Sequence, residues 1–160
     1  MRPGLRLALW LIPASLSLLG ACSGGRDAVV GDPVYEVAER FEVGSGIYVR
    51  ALAIEDATNT LWVGTSMGVM EIGLDDQALR NTFTRQHGLA NEYVFAIGID
   101  SQGYKWFGTN AGGASRYKDG DWDVFFPMHG LADYWIYAFA EQRDGCLLYT
   151  SDAADECVNV

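Results

Sequence analysis

The chain has 160 residues, 20% of them charged and 12% aromatic, with a formal net charge of −10. Acidity of this size repels phosphate backbones and excludes nucleic acid as a partner class. Only three cysteines are present, and their positions leave no disulfide framework and no cysteine-based zinc site.

Residues 1–21 carry Arg2 and Arg6, then the apolar run Leu7 to Leu19, then small residues. That run is too short to span a bilayer as a helix and reads as a secretory signal peptide. Leu19-Gly20-Ala21-Cys22 resembles a bacterial lipobox, in which the Cys22 thiol attacks the lipid donor and becomes the modified N-terminus. The other reading is an Ala-x-Ala-type signal with an incidental cysteine. Ser23, not Asp, follows the cysteine, which by the same resemblance implies an outer membrane lipoprotein facing the periplasm or the cell surface. The alternative is a periplasmic protein. Residues 22–45 then form a lipid-anchored tether, opening on the flexible Ser23-Gly24-Gly25, and a lead-in strand.

From residue 46 the chain repeats itself. Leu61-Trp62-Val63-Gly64-Thr65 recurs as Lys105-Trp106-Phe107-Gly108-Thr109, 44 positions later, and His87-Gly88-Leu89 recurs as His129-Gly130-Leu131 after 42. A period of about 42–45 residues matches one four-stranded propeller blade. Tyr48–Glu55, Tyr93–Asp100 and Trp135–Gln142 align in the same register and read as strands. Alternation puts Ala51, Ala96 and Ala138 on one face with Ala53, Gly98 and Ala140, as expected of an innermost strand crowded near an axis. Leu52, Ile97 and Phe139 take the other face and fill space between blades. Asp100-Ser101-Gln102-Gly103 predicts a tight hairpin into the Trp-x-Gly-Thr strand, with Asn59 in the earlier copy tolerating the same left-handed backbone. Asp119-Gly120-Asp121 predicts a second hairpin, leading to an outer strand over Trp122–Phe126.

The pattern His87-Gly88-Leu89, Val94, Ala96, Ile97, Asp100, Gly103, Trp106, Gly108-Thr109, Gly112-Gly113, Ser115-Arg116-Tyr117 resembles the two-component-regulator propeller repeat. The likeness covers about Gly46 to Gly145. It implies an all-β chain, an incomplete β-propeller of four-stranded blades with about two and a half blades over residues 46–145. It also implies an extracytoplasmic sensor region of the kind that precedes signalling domains.

After Gly145 the repeat predicts another Trp-x-Gly-Thr. The chain instead reads Cys146-Leu147-Leu148-Tyr149-Thr150-Ser151-Asp152-Ala153-Ala154-Asp155-Glu156, which resembles the translation of a transposase-type sequencing adapter. Residues 146–160 are therefore expected to be a non-native tail on a fragment of a longer protein.

Signals for chemistry are sparse. Gly64-Thr65-Ser66-Met67-Gly68 fits the nucleophile-elbow pattern, but that motif needs a strand-to-helix turn, whereas the repeat places Ser66 between two strands. His87 and His129 hold the same slot in adjacent blades before a Gly-Leu turn, as turn residues do, and lack the clustered partners of a metal site. No catalytic residue, metal site or cofactor is expected. Tyr93, Tyr134 and Trp135 stand apart, because the loop before each inner strand differs between copies, as with Asn91 against Asp133 and Glu92 against Tyr134. Packing of the repeat does not dictate such positions, and loops of this kind gather at one propeller face. These three residues are the candidate ligand-binding set, facing a carbohydrate or other small ligand; ordinary loop packing is the alternative.

Three functions remain in view. The first is an exported, lipid-anchored, non-catalytic binding or sensory module, held at the membrane through its lipid and feeding a signalling or envelope protein partner. The second is a propeller lyase or glycosidase with its active site in blades outside this chain. The third is an envelope docking scaffold without a small ligand.

Overall fold

The computed structural model describes residues 36, 37, 40–143 and 145–151, and the backbone of Asp155–Val158. The chain divides after Ala38, and everything below concerns the second unit. The signal peptide, Cys22 and most of the tether lie outside the described residues. Those described within 22–45, namely 36, 37 and 40–45, contain no strand. Phe41, Val43 and Ile47 lie as irregular chain over Val63, Met70 and Ile72 of the first sheet.

Strands β1 (Val49–Glu55), β2 (Thr60–Thr65), β3 (Gly68–Gly73) and β4 (Leu79–Phe83) form one antiparallel sheet in chain order. β5 (Val94–Ile99), β6 (Lys105–Thr109), β7 (Ala114–Lys118) and β8 (Asp121–Phe125) form the second. β9 (Ala138–Glu141), β10 (Leu147–Thr150) and β11 (Asp155–Val158) form a third, of three strands. Meanders of this kind, stacked side by side with their first strands adjacent, are blades of a β-propeller. The fold is all-β and the propeller is partial.

Each motif of the repeat has one physical task. The Trp62 indole donates to the Glu55 carboxylate (3.0 Å) and the Trp106 indole to Asp100 (2.8 Å), so the acid ending each inner strand satisfies the one polar atom of a buried ring. Gly64 and Gly108 are needed because the next blade passes over them. A Cβ on Gly64 would stand 2.9 Å from Val94, and one on Gly108 would stand 2.6 Å from the Ile136 carbonyl oxygen. The Thr65 and Thr109 hydroxyls donate to the carbonyls of Gly68 and Gly113, closing the following turn. The Asp100 carboxylate accepts from the backbone of Gln102 and Tyr104, and Asn59 takes φ 47° in the equivalent turn.

The His-Gly-Leu triplets close short 3-10 turns at Arg85–His87 and Pro127–His129. Nδ1 of His87 accepts from the Thr84 backbone N–H (3.0 Å), and Nδ1 of His129 from that of Phe126 (3.2 Å). Leu89 joins the seam between the first two blades, with Trp62, Val69, Phe83, Val94 and Phe107. Leu131 joins the next seam, with Ala114, Ile136 and Tyr149.

Two expectations are corrected. The small-residue face of the inner strands does not turn toward an axis. Ala53 packs into the first seam together with Ile97 and Ile99 of the following blade, and a Cβ on Gly98 would stand 2.8 Å from Phe139. Small residues of one blade therefore receive bulky residues of the next. Leu147–Thr150 form a strand in the register of the repeat although the Trp-x-Gly-Thr motif is absent. Leu147, Leu148 and Tyr149 pair with Glu141, Ala140 and Phe139 just as Lys105, Trp106 and Phe107 pair with Ile99, Gly98 and Ile97. Tyr149 takes the buried place of Phe107, and its hydroxyl accepts from the Ala132 backbone (2.6 Å). Cys146 is disulfide-bonded, where the sequence suggested no disulfide.

Candidate functional site

The turn between β6 and β7 holds the residues just before two inner strands, that of its own blade and that of the next. The Tyr93 carbonyl accepts from the Asn110 backbone N–H (2.9 Å), and the Trp135 indole donates to the Asn110 side-chain oxygen (2.6 Å). One asparagine thus joins two aromatic residues that lie 42 positions apart. Trp135 remains 38% exposed, so its ring is held at one edge and open on the rest.

Tyr134 goes elsewhere. Its carbonyl accepts from the Gly113 backbone (2.8 Å), but its ring leans toward Phe126, with centroids 6.3 Å apart. Of the three residues expected to share a site, Asn110 links the Tyr93 backbone to the Trp135 indole, while the Tyr134 ring lies against Phe126.

Two positions further along lies a group that the sequence reading passed over. The strand register shifts between Val49 and Ala51, and again between Val94 and Ala96, which leaves Arg50 and Phe95 as bulge residues. A bulge re-aims the side chain it carries, here at the inner edge where β1, β5 and β9 lie side by side. The Arg50 guanidinium sits over the Tyr93 ring (5.3 Å to the centroid) and the Phe95 ring (5.8 Å), and it donates to the Tyr93 hydroxyl (2.7 Å). Phe95 meets Tyr93 edge-on at 5.3 Å and stacks on Tyr137 at 5.2 Å. Arg50, Phe95 and Tyr137 hold the same slot in three successive blades. The signal that singled out Tyr93 and Trp135, variation between copies at a fixed position, applies to them equally.

Other sequence candidates are occupied structurally. Ser66 lies in the β2–β3 turn, where its hydroxyl accepts from the Tyr48 backbone (3.1 Å). Arg116 pairs with Asp123 of the adjoining strand at 2.7 Å and lies over the rings of Tyr104, Trp106 and Phe125. Among the described residues, no group of three His, Cys, Asp or Glu side chains is placed to hold a metal. Among them, too, no helix is long and apolar enough to cross a membrane.

No family model matches the chain, and no curated protein matches it. Solved structures do. The chain is similar to the extracellular domain assigned to a hybrid two-component system of B. thetaiotaomicron, with 24% identity and a TM-score of 0.66 over 76% of this chain and 17% of that one. A second such domain from the same organism matches at 14% identity and a TM-score of 0.61, over 70% and 16%. A catalytically inactive virginiamycin B lyase from Staphylococcus aureus, solved with quinupristin, matches at 18% identity and a TM-score of 0.55, over 76% and 44%. The chain thus spans under half the length of each. At these identities the likeness establishes the fold, a run of propeller blades.

Proposed function

We propose that this chain is part of an exported, lipid-anchored β-propeller that acts as a non-catalytic binding or sensory module. The observation that carries the reading is the pairing of Tyr93 and Trp135 around Asn110 at the start of successive inner strands. The Trp135 ring, fixed at one edge and partly exposed, suits stacking on a sugar or another small cyclic ligand. Likeness to extracellular domains of two-component systems supports a sensory role, with a signalling or envelope protein as partner. The anchor is Cys22, so Cys22→Ala is expected to abolish lipid labelling and release the protein from the membrane fraction.

The test of binding is a panel of saccharides and small cyclic compounds titrated against the full chain, with Trp135→Ala alongside. A ligand whose affinity falls at least ten-fold in Trp135→Ala, without a matching loss of stability, supports the reading. Equal losses of affinity and stability would return Trp135 to a packing role. A second reading, a lyase-type enzyme, draws on the virginiamycin B lyase likeness. Turnover of a bound ligand to product would favour it.

A further inference from the structure

We propose that the bulge slot of the inner strands is a subsite for a ring-bearing carboxylate, with Arg50 as the anion anchor and Phe95 and Tyr137 as the platform for the ring. The proposal rests on the binding-module reading above and names the chemical class of its ligand.

Arg50 is held ready. The ring faces of Tyr93 and Phe95 and the hydroxyl of Tyr93 position its guanidinium, so little side-chain freedom is left to lose on binding. A guanidinium has five N–H donors, and the Tyr93 hydroxyl takes one of them. Among the described residues no carboxylate pairs with Arg50, as none pairs with Arg40, Arg85, Lys118 or Arg143.

The charge of the ligand follows from the count of cations. One guanidinium matches one carboxylate through its planar fork. A dianion such as phosphate would bring surplus negative charge toward a protein that already carries −10. The ring follows from the neighbours. Phe95 and Tyr137 lie within 28° of parallel, and Tyr137 is 42% exposed. Stacked on Phe95, the partly exposed Tyr137 puts aromatic surface beside the anion anchor, against which either an aromatic ring or the CH face of a sugar ring can lie.

The test uses the full chain at neutral pH and low salt, with ligand-observed NMR titrations of benzoate and glucuronate beside the neutral benzyl alcohol and methyl glucoside. At least one carboxylate is expected to bind ten-fold or more tightly than its neutral counterpart. Arg50→Gln is expected to erase that preference, and Phe95→Leu to weaken the charged and neutral forms alike. Preference for benzoate identifies an aromatic acid, and preference for glucuronate a sugar acid; either supports the subsite. The proposal is overturned if neither carboxylate outbinds its neutral partner, or if Arg50→Gln keeps the preference. Trp135-dependent binding of a neutral sugar with no charge preference would remove this subsite alone. Absence of binding by any cyclic ligand would remove the binding module as well.

Discussion

The Glu55 carboxylate of β1 and the Lys105 ammonium of β6 lie 2.7 Å apart, both buried, and the pair bridges the first two blades. The same carboxylate accepts from the Trp62 indole, and Lys105 lies 5.5 Å from the centre of that ring. One acid thus orients the principal aromatic residue of its own blade and holds the next blade by charge. Removing one partner of such a pair strands the other in a dry seam, which costs about 3–5 kcal/mol. Lys105→Met is expected to lose stability on that scale in denaturant melts. Glu55→Gln keeps an acceptor for Trp62 and removes the stranded charge, so Glu55→Gln with Lys105→Met should be more stable than Lys105→Met alone. A double variant no better than the single one would show that the ion pair is not what holds the seam.

Burial acts most strongly on Glu55 and raises its pKa, but hydrogen bonds from Lys105, Trp62 and Thr58, with the charge of Lys105, together hold it below the ordinary value of 4.5. A lowered carboxyl pKa contributes stability that is complete above the unfolded value and lost as pH falls through the folded one. Wild type should therefore exceed Glu55→Gln in stability above about pH 4.5, and the gap should close on further acidification. Urea midpoints between pH 3 and 6 measure it, and a gap independent of pH would contradict the assignment.

Gly88 and Gly130 hold the same slot with φ of 116° and 100°, yet their surroundings differ. A Cβ at Gly88 would stand 2.6 Å from the Trp122 ring, while nothing lies within 4 Å of one at Gly130. Left-handed strain costs about 1–3 kcal/mol at either position, and only Gly88→Ala adds a clash with Trp122. Gly88→Ala should be the more damaging of the two in thermal melts. Equal losses would mean that Trp122 moves aside freely.

Trp122 and Trp135 should separate cleanly. Trp122 packs against Tyr117, Phe107 and Phe83 at 4.7, 5.7 and 5.5 Å between centroids, and its removal should cost about 3 kcal/mol. Trp135 gives up one hydrogen bond and an exposed ring, worth about 1 kcal/mol. Chemical denaturation of Trp122→Ala and Trp135→Ala measures the difference, and the reverse order would place Trp135 in the core.

Leu52 and Ile54 are 62% and 58% exposed, whereas their repeat counterparts Ile97 and Ile99 pack into the first seam. Such a face favours head-to-tail association. The chain is expected to self-associate with rising concentration, and Leu52→Asp with Ile54→Asp to reduce this without lowering stability. Sedimentation that does not change with concentration in wild type would refute it.

The period of the repeat, the four strands of each blade and the paired turns were legible in the amino-acid sequence, whereas the tasks of Trp, Gly and Thr came from the structure. The legible features depend on local chemistry: alternation along a strand and left-handed backbone at Gly or Asn. Tyr93 and Trp135 were legible too, as positions that the repeat does not dictate. Only the tertiary structure decided what they touch. Asn110 joins Trp135 to Tyr93 because the turn of one blade falls beside the inner strand of the next, and the Tyr134 ring turns to Phe126 although it is adjacent in sequence. The small-residue face went into the seam because blades pack face to face. Arg50 stands on Tyr93 and Phe95 because a bulge breaks the two-residue period, and alternation alone cannot say where a bulged side chain will point.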